Sequence, residues 1–183
     1  MHQVRIHGRG GQGVVTAAEL LSVAAFAEGR HAQAFPTFGS ERTGAPVVAF
    51  CRIDERPIRS REPIAEPDTL IVQDPTLLHQ VDLFAGLPRG GLVLLNSARA
   101  LDELGLDDTG FRIVTLPATD LARKHLGRPV PNAVLLGGFA ALTGVVSVDS
   151  VVAAIREKFP GAVGEKNAVA ARVAYEQLEA VRA

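Results

Sequence analysis

The chain has a single cysteine, Cys51, in 183 residues. One thiol closes no internal disulfide and cannot by itself ligate an iron–sulfur cluster, so electron transfer through a metal centre built from this chain alone is excluded. Cys51 lies in the apolar run Val47 to Ile53, where a buried, inert thiol is expected rather than a nucleophile. Histidines are scattered. His2, His7, His31, His79 and His125 form no pair at metal-ligand spacing, so no zinc or iron site is supported. No serine or cysteine has a base at a recognisable offset. No apolar run approaches the ~20 residues of a membrane span. The N-terminus reads as a charged strand rather than a signal peptide, which makes a cytoplasmic location the expectation. Lysines are few and dispersed, and the net charge is −1. Neither a nucleic-acid footprint nor a basic membrane-binding face is therefore expected.

What is present is enough apolar material, 47% of residues, for one good core, and a length that fits a single domain over 1–183. The organising stretch comes first, His7-Gly8-Arg9-Gly10-Gly11-Gln12-Gly13-Val14-Val15-Thr16. The short run Val4-Arg5-Ile6 precedes it and the Ala/Leu-rich segment Ala17 to Ala27 follows, so the order is strand, glycine turn, helix. Gly8, Gly10 and Gly13 satisfy G-x-G-x-x-G where that spacing has a mechanism. Glycines there accept positive φ and leave no Cβ in the way of a ligand. The N–H groups of the first helical turn then face whatever sits above the strand, a site suited to phosphate. No Gly-Lys-Ser/Thr follows, which removes a P-loop. A dinucleotide site also needs an acid about 20 residues on for a ribose hydroxyl. Here the second apolar run, Ala32 to Phe35, ends in Phe35-Pro36-Thr37. Two readings are open at this point: a phosphate-bearing ligand other than NAD, or a tight turn with no ligand.

Further along, Gly29 closes the first helix and a second strand is expected over about His31 to Phe35. The loop Pro36 to Pro46 carries its own prolines, glycines and hydroxyls, a content typical of functional loops. Chain order puts it close to Gly10–Gly13, because both segments follow neighbouring strands at their carboxyl ends. Arg42 is a candidate phosphate or carboxylate clamp, and Ser40 and Thr43 are candidate donors. Strands are then expected over Val47–Ile53, Thr69–Gln73, Gly91–Leu95 and Phe111–Leu116. A helix capped by Asp74 and opened by Pro75 should reach about Phe84. Helices follow over Ala118–Leu126, Ala133–Thr143, Val148–Phe159 (capped by Ser147) and Glu165–Arg182, the last with Val169, Val173 and Leu178 on one side. The segment Ala133–Thr143 is hydrophobic nearly all round, so it is either deep core or packed against another subunit. The latter case would leave the isolated chain poorly behaved. The fold class is α/β: a mostly parallel, Rossmann-like sheet with helices on both faces and a helical C-terminal tail.

Three stretches together resemble one family. They are Gly8-Arg9-Gly10-Gly11-Gln12-Gly13 with Thr16-Ala17-Ala18, then Gln33 to Val47, then Asp74-Pro75-Thr76-Leu77-Leu78 with Pro131-Asn132 and Glu165-Lys166-Asn167. The pattern is similar to the gamma subunit of pyruvate (2-oxoacid):ferredoxin oxidoreductases, over Val4 to about Tyr175. Where that family often has two arginines after the glutamate, this chain has Arg42-Thr43. The resemblance implies oxidative decarboxylation of a 2-oxoacid on thiamine diphosphate, with electrons passed through iron–sulfur clusters to ferredoxin and the acyl group to coenzyme A. It also implies that thiamine diphosphate, Mg and [4Fe-4S] clusters sit on alpha, beta and delta-type partner subunits, and that the isolated chain is inactive. The gamma-type domain is associated with coenzyme A, which points to Gly10, Gly11, Gln12, Gly13, Val14 and Thr16 as phosphate contacts, with Ser40, Arg42 and Thr43 next. The alternatives are the equivalent subunit of an arylpyruvate or phenylglyoxylate enzyme, and a purely structural clamp whose glycine turn holds nothing. A free-standing NAD dehydrogenase is the least favoured.

Overall fold

Val4 and Ile6 project from one side of the first strand, and Arg5 and His7 from the other. That alternation divides the whole molecule. The computed structural model describes residues 1–37 and 42–182. In chain order it contains β1 (His2–Arg9), α1 (Val14–Ala27), β2 (His31–Pro36), β3 (Pro46–Asp54), β4 (Thr69–Val72), a 3-10 helix (Pro75–His79), β5 (Leu92–Asn96), β6 (Arg112–Leu116), α2 (Ala118–Leu126), α3 (Asn132–Thr143), α4 (Val148–Lys158) and α5 (Ala162–Glu179). The six strands form one sheet in the order β2-β3-β1-β4-β5-β6. The pairs β1–β4, β4–β5 and β5–β6 are parallel, whereas β3 runs antiparallel to both β1 and β2. The mostly parallel α/β class and the helical tail are as expected.

The position of β3 corrects one step of the sequence reading. β2 is not the neighbour of β1; β3 lies between them. Two antiparallel pairings restore direction, so β2 still ends, and β3 begins, at the carboxyl edge of β1. The loop before β3 therefore does reach the glycine turn, delivered by β3. Gly10 N donates to Ala45 O at 2.8 Å and Gly44 N donates to Gly10 O at 3.0 Å.

Helical cover on the two faces is unequal. All five α-helices share one core with Val4, Ile6, Ala49, Cys51, Ile53, Ile71, Leu94 and Leu116 from one side of the sheet. On the other side Leu70, Val72, Val93, Leu95 and Ile113 pack under Leu77, Leu83 and Leu87, which come from the 3-10 helix and the irregular chain after it. The helix expected from Asp74 to Phe84 is thus only the short 3-10 turn. Asp74 does cap it, accepting from Thr76 N at 2.9 Å. Beyond it the chain must lay Leu83 and Leu87 flat across short strands, and Gly86 turns with φ 77° against the Ala65 carbonyl. A continuing helix meets neither demand.

Every residue of α3 from Asn132 to Leu142 is buried within the chain itself. The deep-core reading holds, and α3 gives no reason to expect a poorly behaved isolated chain. Its partner is α5. Gly137 packs directly on the Ala171 carbonyl, where a methyl group would collide, and Gly138 faces Leu178. The two helices run parallel, since residues farther along α3 meet residues farther along α5. The buried residues of α5 include Asn167, Ala168, Ala171, Ala174 and Leu178, and Gly164, which packs on the Phe159 carbonyl at the end of α4. Val169 is exposed, contrary to the stripe expected from the sequence. Small residues were missed there because close helix packing needs absence of bulk rather than hydrophobicity.

Candidate functional site

β1 and β4 are neighbours at the point where the chain leaves β1 in one direction, through α1 to β2, and later resumes in the other through β4 to β6. In open α/β sheets ligands collect outside the carboxyl ends of strands at such a reversal. Here that place is occupied by the glycine turn and the Gln73-Asp74 corner.

Gly13 precedes α1 in the left-handed region, φ 71° and ψ 37°, and no side chain caps the helix. Gly11 is also left-handed, φ 92°. Among the described residues the backbone N–H groups of Gly11, Gly13, Val14, Val15 and Thr16 donate to nothing, the first helical bond being Ala17 N to Gly13 O. The first turn holds no acid. These groups line a cavity of about 200 Å3 together with Arg9, Gly10 and Val47. Unpaired N–H groups and the positive end of a 14-residue helix make it a place for an anion, with Arg9 at its rim.

The turn is held by a polar network on its far side. Gln12 Oε1 accepts from Arg9 N at 2.8 Å, and Gln12 Nε2 donates to Asp74 Oδ2 at 2.8 Å. Gln73, which is fully buried, donates from Nε2 to Gln12 O at 2.9 Å. Arg9 reaches over this corner. Its Nε lies 3.2 Å from Asp74 Oδ2, Nη2 donates to Thr76 Oγ1 and Gln80 Oε1, and Nη1 donates to Gly44 O. Burial works to raise the Asp74 pKa, but hydrogen bonds from Thr76 and Gln12 and the Arg9 charge outweigh it and hold the carboxyl below its ordinary value. Asp74 is therefore the anion that keeps Arg9 in place.

Beneath, on the second face of the sheet, Arg5 is buried. It donates to the carbonyls of Ile64, Leu83 and Ala85 and, from Nε, to His7 Nε2 at 3.0 Å. Burial, then the Arg5 charge, push the His7 pKa down to about 4. His7 is thus a neutral acceptor that positions Arg5, with its proton on Nδ1. The same face buries Arg52, which donates to Gln3, Gln33 and the Glu62 carbonyl. Cys51 is fully buried and its thiol is pushed up to about 12 by burial, so it is inert as expected.

The structure brings together most of the residues read from the sequence. Gly10, Gly11, Gly13, Val14 and Thr16 line the cavity. Gln12 does not; its side chain turns away to Asp74. Thr43 bridges to Gly10 through the backbone, and the Arg42 carbonyl sits where a Cβ on Gly10 would have to go. Neither side chain lines the cavity. Ser40 lies outside the described residues. Arg9 was missed, although a cation between two glycines of the turn is a signal that was available. Among the described residues no three His, Cys, Asp or Glu side chains gather as a metal site, and no helix is long and apolar enough to cross a membrane. Among the described residues the lining offers anion binding by backbone N–H groups with Arg9 at the rim, and it contains no carboxylate, imidazole or thiol.

A family model described as pyruvate ferredoxin/flavodoxin oxidoreductase matches residues 3–177. The chain is 52% identical over 182 residues to pyruvate synthase subunit PorC of Methanothermobacter thermautotrophicus, covering 100% of this chain and 98% of that one. It is 49% identical over 181 residues to the pyruvate/ketoisovalerate oxidoreductases common subunit gamma of Pyrococcus abyssi, covering 98% of each. The crystal structure of pyruvate oxidoreductase subunit PORC from Thermotoga maritima superposes with a TM-score of 0.83 at 35% identity, over 96% of this chain and 95% of that one. The chain accordingly belongs to the pyruvate ferredoxin/flavodoxin oxidoreductase family, as the gamma-type subunit of a multi-subunit 2-oxoacid:ferredoxin oxidoreductase.

Proposed function

We propose that within that assembly this chain is the coenzyme A-binding, non-catalytic subunit. The observation that carries the proposal is the glycine turn: five N–H groups with no partner among the described residues, no acid in the first helical turn, and Arg9 at its rim. A diphosphate satisfies that set, while the missing acid after β2 disfavours a nicotinamide dinucleotide. Thiamine diphosphate, Mg and [4Fe-4S] clusters belong to alpha, beta and delta-type partners, a division in keeping with one inert cysteine here. The isolated chain is then inactive, and electrons reach ferredoxin through the partners. Choice of 2-oxoacid also lies on other chains; the Pyrococcus relative's name, common to pyruvate and ketoisovalerate enzymes, favours this.

Two measurements test the proposal. Tagged chain is purified from its own host and what accompanies it is assayed for thiamine and iron. Partners carrying both are expected, and a lone chain would overturn the placement. In the assembled enzyme, Gly11→Asp is expected to raise KM for coenzyme A while leaving kcat and subunit content unchanged. An assembly defect, or no change, would favour a structural clamp instead.

A further inference from the structure

Two short stretches of the family pattern, Pro131-Asn132 and Lys166-Asn167, play no part in the glycine turn. The fold brings Asn132 from the first and Lys166 and Asn167 from the second into the lining of one cavity of about 180 Å3, which Leu126, Val130, Phe159 and Val163 line with apolar surface and Arg128 and Lys166 with charge. That volume is below the roughly 300–1,000 Å3 of a complete small-molecule site, so it suits one end of a longer ligand.

The cavity adjoins the glycine turn. Asn132 Nδ2 donates to Gly13 O at 3.3 Å, and Asn132 Oδ1 accepts from Ala133 N at 2.9 Å. Only 4% of Asn132 and 5% of Asn167 is exposed. Asn167 Nδ2 donates to Val163 O at 2.9 Å, and among the described residues its Oδ1 accepts nothing. One proton of Asn132 Nδ2 is likewise unused. Two buried amides with spare capacity thus open on the same small space. The parallel helices α3 and α5 both begin there, neither capped by a side chain. Arg128 and Lys166 form no ion pair among the described residues, and no acid lines the cavity.

We infer that this cavity receives the nucleoside end of coenzyme A: the base between apolar walls and asparagine amides, and the ribose phosphate on Arg128 and Lys166. This inference rests on the coenzyme A reading proposed above and extends it. A flat heteroaromatic base takes apolar contact on its faces and amide hydrogen bonds at its edge. A phosphate takes the two cations and the helix starts. Asn132, bonded to Gly13, joins this subsite to the one for the diphosphate, matching a ligand with two anionic groups separated by a ribose.

The test uses the assembled enzyme carrying Arg128→Gln with Lys166→Gln, both exposed positions that leave the core untouched. KM is measured for coenzyme A and for dephospho-coenzyme A, which lacks the ribose phosphate. The inference expects KM for coenzyme A to rise about tenfold and KM for dephospho-coenzyme A to change little. Gly11→Asp, run alongside, is expected to raise both. If the double variant changes neither KM while Gly11→Asp raises both, the cavity is not the nucleoside subsite and the coenzyme A reading stands. Equal rises for the two substrates in the double variant would also overturn the inference, since the lost cations then serve no phosphate. If Gly11→Asp too is without effect, the coenzyme A reading falls with it.

Discussion

Gln12 joins Asp74 across 62 positions of sequence, Nε2 to Oδ2 at 2.8 Å, while its Oε1 holds the N–H of Arg9. One amide thereby fixes both the loop and its tether to β4. Gln12→Leu removes both bonds and leaves a backbone donor partly buried, a cost of about 1–3 kcal/mol. The expected result is a lower denaturant midpoint for the isolated chain and a raised KM for coenzyme A in the assembled enzyme. A change in KM without a loss of stability would contradict the supporting role given to Gln12.

Gly11 separates strain from charge. A Cβ there meets nothing within 4 Å, yet φ is 92°. Gly11→Ala is expected to cost stability of about 1–2 kcal/mol through the left-handed backbone alone. Gly11→Asp adds a negative charge beside unpaired N–H groups and should weaken coenzyme A by at least a further tenfold or so, about 1.4 kcal/mol. Steady-state KM for the two variants, compared at equal subunit content, decides this.

Arg9 is expected to act on binding more than on turnover. Arg9→Gln takes away the guanidinium at the cavity while Gln12 and Asp74 keep the turn closed. KM for coenzyme A should rise about five- to tenfold with kcat little changed, and the salt dependence of KM should flatten.

His7 gives the isolated chain a pH dependence. Its folded pKa, about 4, lies below the ordinary 6.5. The unfolded chain therefore binds the proton first as the pH falls. The stability that neutral His7 contributes is complete above about pH 6.5, is lost progressively down to about pH 4, and changes no further below that; the full loss is roughly 3 kcal/mol. Burial lowers the His2 pKa in the same direction, so the His7 share is read as a difference. His7→Gln, which keeps an acceptor for Arg5, should flatten this part of a plot of denaturant midpoint against pH.

Close packing of α3 on α5 predicts a strong effect from one methyl group. Gly137→Ala drives Cβ into the Ala171 carbonyl, and backbone cannot move aside as a flexible side chain does. A loss of roughly 2–3 kcal/mol is expected in denaturant unfolding. An unchanged midpoint would mean that the two helices sit farther apart.

What the sequence made legible was mostly local. The glycine turn, the caps at Asp74 and Ser147 and the end of α2 at Gly127 depend on residues a few positions apart, and the structure has them where they were read. The antiparallel insertion of β3 was not legible, because the apolar run Val47–Ile53 looks the same in either direction and strand direction is settled by distant partners. Arg9 was passed over for a similar reason. Its hold on Asp74, Thr76 and Gln80 exists only once β4 lies beside β1. Asn132 and Asn167 were legible as pattern, yet nothing local could show that helices starting 30 residues apart open on one cavity.

The central claim is that coenzyme A phosphates sit on the N–H groups of the glycine turn. Amide hydrogen exchange of the assembled enzyme, with and without coenzyme A, reads those groups directly. The account predicts slowed exchange at Gly11 and across Gly13 to Thr16, whose N–H groups have no partner among the described residues, and loss of that protection in Gly11→Asp. Saturating coenzyme A with unchanged exchange across this segment would contradict it.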